Sequence, residues 1–317
     1  VHARPLSLIF HLCVLTSHAC HTGGKADAGD RIAKEIIKRT KGAKLDGYVE
    51  LACGFLTVGR HVVTSGAFSN HVFVDKNPAV VMLMEHARDH GSKDMPDDFK
   101  TSQWTAEKAH MQAYVEDPTD DATAAITAIT GFMGFASGHE RILFNNYNKN
   151  DDARRKHIAN LKRHMDNLHT DLKGKTVAFV TQVSAVTSKQ RACASHSPFS
   201  SLSQDMFEPT ADAPQNVLLY IDPPYKDNTY GQDSPFFADF DTDGMWALAR
   251  RLEAQGNRVF VSEYAGPADA SFVELAYYGR ANKGREKKQK ETLFGTKEGR
   301  DAYEEDRKRT SKQTKAR

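Results

Sequence analysis

Residues 48 to 78 read "YVELACGFLTVGRHVVTSGAFSNHVFVDKNP" and hold two apolar runs around a periodic segment. Tyr48–Cys53 predicts a strand, and Gly54 turns it into a helix-like segment near Val58–Val63. His71–Asp75 predicts a second strand that ends in an acid, and Pro78 suits the first turn of the helix that follows. Upstream, Asp30–Lys41 shows helical spacing at Ile32, Ile36 and Ile37. Downstream, Thr176–Thr181, Val217–Ile221 and Arg258–Tyr264 predict further strands, and Asp243–Gln255 a helix closed by Gly256. Strands alternating with helices predict an α/β fold with a mainly parallel sheet.

The composition fits an ordinary soluble globular chain: 317 residues, 39% hydrophobic, 26% charged and a net charge of +2. Bulk charge therefore does not announce a nucleic-acid partner. The basic excess is local: Arg280–Arg317 carries fourteen Lys/Arg against seven Asp/Glu. That is either a solvated tail or a phosphate-contacting one. Cys13, Cys20, Cys53 and Cys193 show no zinc spacing and no disulfide framework, which fits a reducing compartment. His157 and His164 suit the polar face of a helix better than a metal site, and no metal is expected.

Residues 1–20 stand apart. Leu6–Leu15 resembles a short signal-peptide core preceded by Arg4, too short to span a bilayer. Ser17–Cys20 makes a poor lipoprotein box because of His18, and Val1 stands where Met is usual. The expectation is a mis-called start or non-structural leader on a cytoplasmic protein, with export as the alternative.

Two strand ends are chemically marked. Gly54 lets the backbone approach a ligand closely, and Asp75 follows it by 21 residues, the spacing of an acceptor for ribose hydroxyls. Phe55-Leu56-Thr57 is too bulky for a dinucleotide fingerprint and offers no Lys for a triphosphate. A nucleoside ligand without a pyrophosphate, such as S-adenosylmethionine, needs only the one close approach.

A third strand end carries Asp222-Pro223-Pro224-Tyr225. The prolines stop sheet pairing and leave bare carbonyls beside one carboxylate and one flat ring. Such a turn fits a planar group with two N–H donors: the amine of adenine or cytosine, or an amide. A plain Pro-Pro loop is the structural alternative.

With these stretches in order, the chain resembles the Dam-type (alpha-group) adenine DNA methyltransferases over roughly residues 22 to 295. Thr22-Gly-Gly-Lys25 with the Arg31–Ile36 helix resembles the family's N-terminal cofactor motif. Tyr48–Gly54, Val74–Pro78 and Asp222–Tyr225 resemble its first-strand, second-strand and catalytic motifs. Arg258–Tyr264 and Glu291–Phe294 are weaker downstream matches. The resemblance implies a Rossmann-like, S-adenosylmethionine-dependent methyltransferase sheet with a mainly helical inserted recognition region. It implies that Gly24 and Lys25 contact the cofactor's methionine end, that Glu50 and Gly54 frame the cofactor, and that Asp75 takes the ribose hydroxyls. Asp222, which borders the cofactor as well, and the Pro223 carbonyl would then accept the two amine hydrogens of a flipped-out adenine. Pro224 would stiffen that turn, and Tyr225 would stack on the base. The chain departs from the family at His21, where Trp or Tyr is usual, at Leu56, which replaces a second glycine, and at Gln182-Val183, where an acid is common.

The expected organisation is a leader (1–20), cofactor motifs (21–96), a helical target-recognition insertion (97–172), the catalytic part (173–295) and a basic tail (296–317). Arg141, Asn145 and Asn146 are of types that read G and A edges, or else ordinary loop caps. Arg154, Arg155, Lys156, Lys162 and Arg163 lie on one predicted helix, Asp151–Leu172, as a phosphate track or a solvated face. The expected partner is double-stranded DNA bound by a monomer, with no membrane, in a restriction-linked or phage-type setting. Two alternatives stay open: a degenerate, non-catalytic nucleic-acid-binding protein, and a methyltransferase acting on another planar amine, of an RNA base or a protein glutamine.

Overall fold

The computed structural model describes residues 25–75, 77–116, 124–136, 151–181, 215–223, 241–278, 291–301 and 304–305. Helix α1 (Lys25–Arg39) leads to β1 (Tyr48–Leu51), α2 (Gly59–Ser65), β2 (Asn70–Asp75) and α3 (Pro78–His90). Three helices follow, α4 (Thr101–Glu116), α5 (Ala124–Ala136) and α6 (Asp151–Leu172). The chain then supplies β3 (Thr176–Thr181), β4 (Leu218–Ile221), α7 (Thr242–Ala254), β5 (Arg258–Glu263), β6 (Phe272–Tyr277) and β7 (Thr292–Thr296).

The seven strands form one sheet in the order β3-β2-β1-β4-β5-β7-β6. The pairs β1–β2, β1–β4, β2–β3 and β4–β5 are parallel, and β7 runs antiparallel to both β5 and β6. The result is a mixed α/β sheet compatible with a Rossmann-like arrangement. The sequence reading lacked both β6 and β7 as strands; β6 has a register shift between Glu274 and Ala276 that breaks its alternation.

Central strands read as continuous apolar runs because both sheet faces are covered. Tyr48, Phe73, Phe179, Tyr220 and Phe260 point into one core with α1, α2, α3, α5 and α6. Val49, Val72, Leu219, Ile221 and Val261 point the other way, against Met245, Trp246 and Leu252 of α7. The helices of the 97–172 insertion share the first core: Trp104, Phe132, Leu161 and Met165 belong to the same cluster as Tyr48 and Phe73.

Helix α1 lies close over the turn after β1, because a Cβ at Gly29 would run into the Thr57 carbonyl. Its basic residues reach the far end of the sheet. Arg39 donates to the Leu275 carbonyl of β6 at 3.3 Å, and the Arg31 guanidinium lies 5.2 Å from the centre of the Tyr278 ring. Among the described residues, no helix is long and apolar enough to cross a membrane. The expected leader lies outside the described residues, as does most of the basic tail.

Candidate functional site

The strand order 3-2-1-4-5 reverses direction between β1 and β4, so a crevice opens beyond the carboxyl ends of those two strands. Asp222 N–H still bonds the Leu51 carbonyl at 3.3 Å, so the two strands stay paired up to the last residue before they part.

The turn after β1 is wound tightly. Ala52, Gly54 and Leu56 all take left-handed backbone conformations, with φ of 62°, 47° and 53°. Gly54 adopts this without a Cβ clash, whereas Ala52 and Leu56 do so at a cost of about 1–2 kcal/mol each. Leu56 therefore occupies a conformation that favours glycine. External contacts hold the turn: Cys53 N–H bonds the Val74 carbonyl at 3.1 Å, and Gly54 N–H bonds Asp75 Oδ2 at 3.0 Å.

Asp75 is fully buried, and its Oδ1 accepts the Asn77 N–H at 2.9 Å. Both of its carboxylate oxygens are thus engaged by backbone donors, Oδ2 by Gly54 and Oδ1 by Asn77. Asn77 caps α3 through Oδ1, which accepts the Ala79 N–H at 3.0 Å. Its buried Nδ2 has no hydrogen-bond partner among the described residues, and neither does the buried Thr181 Oγ1. Thr181 is the register partner of Asp75, so these atoms mark the carboxyl edge between β2 and β3. Buried polar groups without partners are uncommon in folded proteins; Arg60 Nε, His71 Nε2 and Gln255 Oε1 are others here, and what sets Asn77 and Thr181 apart is their place at the strand ends.

Carboxylates recur at the other strand ends. Glu50 on β1 is buried and accepts the Tyr48 hydroxyl at 2.9 Å. Glu263 at the end of β5 is fully buried and accepts the Tyr264 N–H at 2.7 Å. Opposite Glu50 in register is Tyr220, whose hydroxyl pairs with Ser262 Oγ at 2.7 Å. Burial and the Glu50 charge hold the Tyr48 hydroxyl well above its usual range; burial and the Asp222 charge do the same for Tyr220. Both phenols therefore stay neutral. Glu50, Asp75, Asp222 and Glu263 thus place a carboxyl group at or next to the carboxyl ends of four strands. Among the described residues no cluster of His, Cys, Asp or Glu could hold a metal ion.

Asp222 is half-buried at the end of β4, and Pro223 is buried behind it. Asp75, Gly54, Glu50 and Asp222 are therefore brought to one edge of the sheet, as expected. Lys25 begins α1, although only its backbone is described. Gly24, Pro224, Tyr225, Arg141, Asn145 and Asn146 lie outside the described residues, as do His21, Gln182 and Val183.

Arg154 needs a correction. It is buried, with Nε 2.7 Å from Asp98 Oδ1 and Nη1 2.8 Å from Asp151 Oδ1, and its guanidinium faces the Phe99 ring. The reason is positional: the buried stripe of α6 runs Arg154, Ile158, Leu161, Met165, Leu168, Leu172. Arg154 is thus turned inward and not offered to a phosphate. Arg155 and Arg163 are exposed, with Arg155 ion-paired to Asp152 and Arg163 bonded to the Asn160 side chain. Sequence reasoning did not single out Asn77, Thr181, Ser262 or Glu263. Glu263 carried a signal, an acid ending an apolar strand; Asn77 and Thr181 did not.

A scan against protein-family models finds no match for this chain, and a search of curated proteins finds none either.

Proposed function

We propose that the chain transfers a methyl group from S-adenosylmethionine to the exocyclic amine of adenine in DNA. The observation that carries this reading is the edge formed by the left-handed turn at Gly54, the buried Asp75 bonded to it, and the unpartnered Asn77 Nδ2 and Thr181 Oγ1. These groups fit a nucleoside that approaches the backbone closely and needs no pyrophosphate cradle. The acidic strand ends suit a ligand that carries a sulfonium and an ammonium. Bound there, S-adenosylmethionine supplies an electrophilic methyl group.

The chain's own part is to hold and orient. Asp75 accepts the ribose hydroxyls, and Gly54 leaves room for the sugar. Asp222 and the Pro223 carbonyl accept the two hydrogens of the adenine amine, which frees its nitrogen lone pair from the ring. As the new C–N bond forms, the C–S bond breaks and sulfur keeps the electron pair. The extra proton on nitrogen leaves toward the Asp222 carboxylate, which is open to water on one side. Tyr225 stacks on the flipped base. Positioning supplies most of the acceleration, since the transfer is direct and in line.

The test is methyl transfer from labelled cofactor to DNA by the purified chain, with DNA from a methylation-free host expressing it sequenced for methyladenine. Methyladenine at a defined sequence is the expected result; its absence together with no cofactor binding in calorimetry overturns the reading. A second reading, a non-catalytic nucleic-acid-binding protein, is favoured by Leu56 in the place of a glycine. DNA binding without cofactor binding would decide for it.

A further inference from the structure

The turn that approaches the candidate ligand is held from two sides, and the second side belongs to the inserted helices. On the sheet side, Asp75 takes the Gly54 N–H. On the opposite side, His164 of α6 lies with Nε2 3.1 Å from the Phe55 carbonyl, and its ring packs 5.4 Å from the Phe55 ring. A carbonyl only accepts, so Nε2 carries the hydrogen and His164 is the donor. A few residues on, Arg60 of α2 pairs with Asp171 of α6 at 2.6 Å, a second link between the same helix and the segment leaving the turn.

The turn needs such support. Ala52 and Leu56 hold left-handed conformations that cost free energy, and conformations of this kind persist only where surrounding contacts over-determine them. The Phe55 carbonyl lies between Gly54 and Leu56, the two left-handed residues on the ligand side. Releasing it lets the peptide units on both sides rotate toward ordinary conformations, which would swing the Gly54 N–H away from Asp75.

We infer that His164 is a positioning residue for the ligand site, holding the turn after β1 in its binding shape and coupling the inserted helices to ligand affinity. This rests on the proposed cofactor site, although the clamp itself can be tested without any ligand. The groups facing His164 are Arg60 and His61 of α2, Asp171 of its own helix, and the Phe55 backbone and ring. Burial keeps the imidazole neutral, so the donor persists across the physiological range.

The experiment compares the full chain with His164→Leu, which keeps apolar volume and loses the donor, and His164→Gln, which can restore an N–H donor. Hydrogen–deuterium exchange should rise about tenfold for peptides over residues 52–58 in His164→Leu, with α7 unchanged as an internal check of folding. S-adenosylmethionine binding, measured by calorimetry, should weaken by about fivefold to tenfold in His164→Leu and recover in part in His164→Gln. Unchanged exchange over 52–58 overturns the clamp. Faster exchange with unchanged affinity overturns the positioning role. If no variant and not the parent chain binds the cofactor, the methyltransferase reading fails, and exchange still decides the clamp. Should His164→Leu lose α7 protection as well, Asp171→Asn, which cuts the second link alone, serves the same comparison, and no change over 52–58 there overturns the coupling.

Discussion

Gly54 donates its backbone N–H to Asp75 Oδ2 at 3.0 Å, joining the turn after one strand to the last residue of its neighbour. Asp75 thus has two tasks. It fixes the turn through Gly54 and the start of α3 through the Asn77 N–H.

Replacing this carboxylate should therefore affect the fold as well as the site, more than the sequence alone implies. Asp75→Ala strands two buried N–H donors and should cost about 2–4 kcal/mol of stability. Asp75→Asn keeps one acceptor oxygen but turns the other into a donor facing a backbone N–H, so it should cost less than Asp75→Ala and still destabilise. Urea denaturation of the two variants checks this, and equal midpoints for Asp75→Ala and the parent would contradict it.

Ala52 pays for a left-handed conformation with only one methyl group to bury. Ala52→Gly removes the clash at the loss of that methyl, so stability should stay level or rise by up to about 1 kcal/mol. Ala52→Val places a β-branched side chain at φ of 62° and should destabilise by about 2 kcal/mol or more. Thermal melting of the pair separates backbone strain from simple loss of packing.

The proposed catalytic turn invites a comparison of Asp222 and Tyr225. Asp222→Ala should abolish methyl transfer and leave DNA binding nearly intact, because its acceptor matters as charge develops on the amine. Tyr225→Ala should impair both base capture and rate, by about 1–3 kcal/mol of stacking. Tyr225→Phe keeps the ring and should retain part of the activity. Full turnover by Asp222→Ala would sink the mechanism.

Arg154 and Arg163 share a helix and should behave differently. Arg154→Ala breaks two ion pairs at a buried guanidinium and should cost about 1–3 kcal/mol of stability. Arg163→Ala should leave the melting curve unchanged and, if α6 meets phosphate, lower the salt slope of DNA binding by about one. Binding titrations over a salt series, set beside melting curves, read both effects.

Burial pushes the His164 imidazole from 6.5 down to about 4. The unfolded chain therefore takes up a proton first as pH falls, so stability is full above 6.5 and is lost from there toward 4. The loss is on the order of 3 kcal/mol at most. His61 and His71, lowered chiefly by burial, act in the same direction. Glu85 and Glu253, raised by burial, act oppositely and regain stability on acidification. His164→Gln should flatten the decline measured by denaturation at successive pH values.

Much of the fold was legible because its central strands are buried on both faces and interrupted by glycine, proline or acid. Asp151–Leu172 was read with the bounds that α6 has, since its apolar spacing is regular. The same regularity, carried back four residues from Ile158, reaches Arg154; charge type hid what position revealed. β6 escaped because an edge strand with a bulge alternates poorly. Asn77 and Thr181 stand out only through the absence of partners for single buried atoms, which depends on neighbours distant in sequence.

The interleaving of β7 between β5 and β6 sets an order of events during synthesis. β6 emerges before β7, its only sheet neighbour among the described strands, and so has no partner until β7 has been made. Until then its backbone groups have no ladder to join, and Arg39, made 236 residues before Leu275, has no edge carbonyl to meet. Contacts of such long separation form late and slowly. A nascent chain stalled before Thr292 would thus carry an unpaired strand and an undocked first helix together, a paired vulnerability to proteases and to association with other copies that ends when residues 292–296 arrive.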